Sequence, residues 1–213
     1  MKTMLVLSMG ALLLAGTLSA QTPVPEWQAG VDKVKTLIQS NPAQASEEAG
    51  ELLKGKNKKN VDLVTSVAHV YLDAGKITEA QEYLAMAKKA NNKDPKVSVL
   101  EGDIALAQKN IGQACQLYEQ AIYFDPNCKE AYLKYAQAYK SASPALAIEK
   151  LEQLKAVDPN CLEADRELAE VYYSSNRFGK AAEMYAKFID TPLATEDDML
   201  KYAFALFLNH DFE

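Results

Sequence analysis

Histidine is the scarcest reactive residue in this chain: two occur, His69 and His210, among 213 residues. Cysteine numbers three and tryptophan one, with nine glycines and eight prolines. So few imidazoles and thiols leave little from which to build a metal centre or acid–base machinery. No His-Glu-x-x-His, Cys-x-x-Cys, Gly-x-Ser-x-Gly or glycine-rich phosphate loop occurs. The low glycine and proline content excludes collagen-like and low-complexity chains. A basic surplus is also missing. Lys plus Arg total 23 against 29 Asp plus Glu, giving a net charge of −6 and a pI near 5.1. Nucleic-acid binders draw most of their affinity from neutralised phosphates, so this balance argues against that class. What the chain does have is 48% apolar and 24% charged residues. That is the balance of an ordinary folded domain rather than a disordered one.

The first twenty residues read as an export signal. Lys2 supplies a positive start, and Met4 to Ala15 is an apolar run broken only by Ser8 and Gly10. Gly16-Thr17-Leu18-Ser19-Ala20 then gives the small residues of a cleavage site, leaving Gln21 as the mature terminus. The run is shorter than the ~20 residues of a spanning helix, and lipoprotein processing would require a Cys where Gln21 stands. Losing Lys2 leaves 22 basic and 29 acidic residues, a mature charge of −7. Export puts Cys115, Cys128 and Cys161 in a potentially oxidising space. Their odd number and spacings of 13 and 33 fit neither a metal motif nor a compact disulfide framework.

Sliding the chain along itself exposes a repeat. A small residue recurs at Ala68, Gly102, Ala136, Ala169 and Ala203, at intervals of 34, 34, 33 and 34. Alanine recurs at Ala80, Ala114, Ala147 and Ala181, each followed four residues later by a bulky residue: Leu84, Tyr118, Leu151 or Tyr185. A third column holds Tyr71, Ala105, Tyr139, Tyr172 and Leu206. Units close near Asp94-Pro95, Asp125-Pro126, Asp158-Pro159 and Thr191-Pro192. Small residues let two helix backbones approach, and the large residue one turn later fills the space beside them. Each unit therefore reads as two amphipathic helices. In the first unit Gly75 is free to take a left-handed cap in the connecting turn. The third unit lacks that glycine and instead offers Ser143 as N-cap and Pro144 as first helical residue.

This pattern resembles the tetratricopeptide repeat, whose signature runs W-x₂-L-G-x₂-Y, then A-x₃-F, then P. The matching residues are Gly102, Tyr71, Tyr139, Tyr172, the four alanines with their followers, Pro126 and Pro159. Tryptophan is absent from every unit, with Val64, Tyr132 and Met199 in its column. The resemblance implies an all-α fold: a right-handed solenoid of stacked antiparallel helix pairs. The expected organisation is a signal peptide (1–20), a linker (21–25), a degenerate helical pair (26–60) and four repeats (61–94, 95–128, 129–161, 162–195). Residues 196–213 would be the first helix of a truncated fifth repeat. In the degenerate pair Val31, Val34, Leu37 and Ile38 should pack against Ala45, Ala49, Leu52 and Leu53. Phe212 falls where a second helix should begin, so the face of Met199, Tyr202, Ala203 and Leu206 is expected to lack a following helix. The chain is accordingly read as a piece of a longer protein, with self-association through helix 196–208 as the other way to cover that end.

Chemistry finds little support. His69 lies beside the small column, away from Val64 and Val67, and reads as solvated or groove-lining. Glu163, Glu167 and Glu170 read as a solvated helix face, with Arg166 placed to pair with Glu163 or Glu170. Cys128 and Cys161 occupy one column of adjacent units, too far apart for a disulfide. Cys115 reads as a small buried hydrophobe. The run Lys54-Gly55-Lys56-Asn57-Lys58-Lys59-Asn60 is a positive cluster at a helix C-terminus and reads as a loop whose cations suit the dipole. No cofactor and no catalytic or metal-binding residue is implied.

A solenoid's inner wall is lined by the first helix of each unit. Helical geometry turns Asp62, Thr65, His69 and Asp73 toward it, then Lys96, Val99, Asp103 and Leu106. Next come Glu130, Leu133, Gln137 and Lys140, then Glu163, Arg166, Glu170 and Tyr173, and finally Asp197, Leu200, Phe204 and Phe207. The wall starts acidic and ends aromatic. It should suit a partner's peptide or helix carrying basic residues and an apolar anchor. Some tetratricopeptide domains grip a chaperone's C-terminal carboxylate with Lys and Asn. The matching positions here hold Thr65, His69, Leu100, Glu130 and Lys134, so that activity is not expected.

The expected function is thus a non-catalytic scaffold that binds another protein. It would bind no nucleic acid, and no stable membrane span is expected. The alternatives are a non-catalytic repeat domain of a larger envelope enzyme, or a glycan-processing factor in which Tyr173, Phe204 and Phe207 stack on sugar. A simple signal and the absence of an Asn-x-Ser/Thr sequon point to the periplasm of a Gram-negative bacterium.

Overall fold

The computed structural model describes residues 24–210. The export signal and Phe212 lie outside the described residues. Eleven α-helices occur among the described residues, and no strand. They are α1 (Gln28–Ser40), α2 (Pro42–Leu52), α3 (Val61–Asp73), α4 (Ile77–Asn91), α5 (Pro95–Ala107), α6 (Ile111–Phe124), α7 (Lys129–Tyr139), α8 (Pro144–Val157), α9 (Leu162–Ser174), α10 (Phe178–Tyr185) and α11 (Glu196–His210). Most helices pack on the next one in the chain. In addition α1 touches α3, α3 touches α5, α5 touches α7 and α7 touches α9, so the first helices of successive pairs stand side by side. That is an α-solenoid. Its core has no single centre: buried apolar residues form clusters along the stack, one from Val31 to Ile104, one around Tyr118, and one from Tyr132 to Ala205.

Local chemistry sets the helix ends. Asn41, Asn60, Asp94 and Asn110 each accept a backbone N–H of the first turn through the side-chain oxygen. Pro42, Pro95 and Pro144 sit where a helix needs no donor. The turns inside the units repeat as well. Gly75, Lys109 and Asn176 all take positive φ (75°, 64° and 57°), and the residue after each donates back to a carbonyl five residues earlier. The third unit departs, with Ser143 at φ −150°. Ser143 stands at the N-cap but makes no side-chain capping bond, so Pro144 alone sets that start. The segment expected as a loop after α2 instead winds into a 3₁₀ turn, Gly55–Lys59, tied by the Asn57 side-chain amide to Leu52 O at 2.9 Å.

The small column does what packing requires of it. Ala68, Ala136 and Ala169 are wholly buried. A Cβ on Gly102 would stand 2.5 Å from the Tyr118 ring, closer than side chains approach. Ala203 is exposed, since no described second helix follows α11 to cover it.

Candidate functional site

The residues after the first four small-column positions, His69, Asp103, Gln137 and Glu170, each bond to a side chain of a neighbouring first helix, whereas Phe204, after Ala203, is exposed. Asp103 is the extreme case, at 7% exposure. The Tyr118 hydroxyl donates to its Oδ1 at 2.7 Å, Lys134 Nζ donates to Oδ2 at 3.1 Å, and His69 Nε2 lies 3.1 Å from Oδ2. Burial pushes this carboxyl up, but the His69, Lys134 and Tyr118 interactions together outweigh it and hold it below the ordinary carboxylate range. Two repeats later the Tyr185 hydroxyl donates to Glu170 at 2.7 Å, and Lys201 reaches the same carboxylate at 2.9 Å.

Further polar contacts stitch one first helix to the next. Lys96 donates to Asp62 at 2.5 Å, Lys129 to Glu163 at 2.6 Å, and Gln137 to Glu167 at 2.8 Å. Arg166 does not pair with Glu163 or Glu170 along its own helix. It crosses to Asp198 at 3.0 Å, because that carboxylate is buried at the start of α11. Thr195 and Asp198 close a capping box there, each side-chain oxygen accepting the other's backbone N–H. Burial opposes the ionised Asp198, yet Thr195 and Arg166 hold its carboxyl low.

Three predicted wall residues are buried. Asp103 is occupied as described. Thr65 is buried and donates its hydroxyl to Val61 O at 2.8 Å within its own helix. Val99 is buried in the cluster around Tyr118. Tyr173 is half-buried, edge-on to Phe178 and Tyr185 at 5.7 and 6.5 Å. Gln137 and Lys140 are exposed.

The wall opens into two grooves. The first, about 320 Å³, lies at the N-terminal end and is lined by Asp62, Thr65, Ser66, His69, Lys96 and Glu130 together with Pro25 and Trp27. The hydrogen bond from Lys96 to Asp62 raises the Lys96 ammonium against the cost of burial, and Asp94 and Glu130 add to it. Glu130 has no ion pair among the described residues. Carboxylates therefore outnumber cations here. Trp27, the chain's one tryptophan, stands outside the expected wall; it precedes the repeat register, packs its inner side on the first core cluster and borders the groove. The second groove, also about 320 Å³, lies on α11 between Leu200, Ala203, Phe204 and Phe207. Leu200, Phe204 and Phe207 are 57%, 48% and 61% exposed. Of the face expected to lie open, Met199, Ala203 and Leu206 do, whereas Tyr202 turns back to meet Tyr185 at 6.1 Å.

The tetratricopeptide repeat family model matches residues 68–127 and 137–194, more than half of the chain. The chain belongs to the tetratricopeptide repeat family. Solved structures agree in fold. One is a thermophilic tetratricopeptide repeat protein of Thermus thermophilus, at 20% identity over 84% of this chain and 98% of that one, TM-score 0.64. Another is PilW, a type IV pilus biogenesis factor, at 19% identity over 86% and 87%, TM-score 0.65. A third is yeast Tom70, at 15% identity over 86% and 40%, TM-score 0.69. No curated protein matches the sequence.

Within this tetratricopeptide solenoid the carboxylate-gripping positions are blocked. Leu100 is buried, and Lys134 is engaged with Asp103. His69 and Asp103 resemble an acid–base pair, but the neighbouring hydroxyls of Thr65 and Ser66 donate to backbone carbonyls of α3, and no activated nucleophile accompanies them among the described residues. No group of three His, Cys, Asp or Glu able to hold a metal occurs among the described residues. The three cysteines are unpaired, and burial pushes the Cys115 thiol up to about 11. No described helix is long and apolar enough to cross a membrane. Tetratricopeptide folds are typically non-catalytic interaction scaffolds.

Proposed function

We propose that the inner wall binds one segment of a partner protein, a peptide or helix whose basic residues enter the groove beside Trp27 and whose apolar side chains reach α11. The observation that carries this reading is the pairing of two open grooves of opposite character on the same line of first helices. One has an excess of carboxylates from Asp62 and Glu130; the other has exposed Leu200, Phe204 and Phe207. Charge complementarity orients such a ligand, and the apolar anchor contributes affinity. The polar ladder between first helices keeps the wall in shape before the ligand arrives, which lowers the ordering cost of binding.

Trp27 makes the test direct, because its emission reports on the first groove alone. A synthetic helical peptide with arginines at one end and leucine and phenylalanine at the other is titrated against the full chain. The emission is expected to shift and saturate, with affinity about tenfold weaker in Glu130→Lys and in Phe207→Ala. Unchanged emission, or equal affinity for the same peptide with glutamates in place of the arginines, overturns the reading. We further propose that the chain is exported with cleavage after Ala20. Terminal sequencing of the cell-envelope protein should begin at Gln21, and a full-length cytosolic product would overturn this.

A further inference from the structure

A further cavity, about 380 Å³, lies between the 3₁₀ turn Gly55–Lys59 and α4. No residue of the first helices lines it, so it is separate from the inner wall. Its floor is Ala85, Met86 and Ala90; its edges carry Lys58 and Lys59 from the turn, Lys89 from α4, and one acid, Glu82. In an acidic protein this concentration of cations is unusual, and these cations are not in use. Lys54 pairs with Glu51 and Lys88 with Glu101, whereas Lys58, Lys59 and Lys89 have no ion pair among the described residues. A helix C-terminus near Lys89 favours one or two cations, but that accounts for neither the turn lysines nor the apolar floor beneath all three.

We propose that this groove docks an acidic amphipathic segment of a partner protein: an apolar side chain seated on Met86, with carboxylates on either side of it. Lysines on two separate elements flank the floor, which matches acidic residues placed on both sides of one anchor. The thioether of Met86 adapts to anchors of different shape. A recessed floor with Glu82 at its edge, in a chain of net charge −6, suits a peptide better than an anionic bilayer.

The test uses the full chain and three probes: a fluorescein-labelled peptide of alternating glutamate and leucine, its lysine counterpart, and phosphatidylglycerol vesicles. Fluorescence anisotropy should show the glutamate peptide bound, and Lys58→Glu/Lys59→Glu/Lys89→Glu should weaken it by at least about tenfold. These positions are exposed, and an unchanged circular dichroism spectrum establishes that the variant folds. Trp27→Ala should leave this affinity unchanged, which separates the groove from the inner wall. The lysine peptide should not compete. Absence of glutamate-peptide binding, binding insensitive to the triple variant, or displacement of the peptide by vesicles overturns the proposal.

Discussion

The second and fourth repeats meet the same packing requirement with different residues. In both, a tyrosine of the second helix lies against the small column of the first and donates its hydroxyl to the acid that follows: Tyr118 to Asp103, Tyr185 to Glu170. In the second repeat the acid is aspartate and the small residue is Gly102; in the fourth they are glutamate and Ala169. Aspartate is one methylene shorter, so the Tyr118 ring must come closer to α5 to reach it, and only glycine leaves that room. The comparison shows that a repeat position is set by its partners, not by the consensus alone. Asp103 ends up 7% exposed and Glu170 26%, so the same bond carries different weight.

The sharpest way to break this comparison is Gly102→Ala. The added methyl would meet the Tyr118 ring at 2.5 Å, and overpacking of this kind costs up to about 3 kcal/mol. Urea denaturation should show that loss. Combining Gly102→Ala with Tyr118→Leu, which restores the Ala68–Leu84 pairing of the first repeat, should recover part of it. Purely additive costs would mean that the two side chains do not compete for space. A smaller contrast comes from removing each hydroxyl. Tyr118→Phe leaves the buried Asp103 with two partners and should cost about 1.5 kcal/mol, whereas Tyr185→Phe leaves Glu170 to Lys201 and water and should cost under about 1 kcal/mol. Equal losses would contradict the difference in burial.

Much of this is legible in the sequence. The alternation of small and bulky residues is a backbone-spacing requirement, so a 34-residue period reveals helix pairing directly. Which wall residues are free is not legible in the same way. Asp103 points toward the wall by helical position, but its burial depends on His69 and Lys134, each about one repeat away. Helical spacing offers Arg166 partners along its own helix, where three- and four-residue separations can be read off. Its true partner, Asp198, is 32 residues on. Trp27 precedes the repeats and belongs to no column, so the repeat gives it no place at the wall, although a lone tryptophan at the first helix start is a usable signal.

The smallest effect concerns pH and isolates Asp103. Its folded-state carboxyl is held below the value of about 3.9 that an unfolded aspartate shows. Between those two values the unfolded chain carries the extra proton. The stabilisation is therefore complete above the unfolded value and is lost as pH falls through the folded one. Replacing the carboxyl by an amide in Asp103→Asn removes this linkage. The slope of unfolding free energy against pH should flatten by at most about one proton on the acid side and remain the same near neutrality. Lys140→Gln, which changes an exposed residue outside the network, should leave the acid limb unaltered. If Asp103→Asn shows the same acid limb as the natural chain, the three groups around Asp103 do not stabilise its charge, and the second repeat loses the feature that distinguishes it from the fourth.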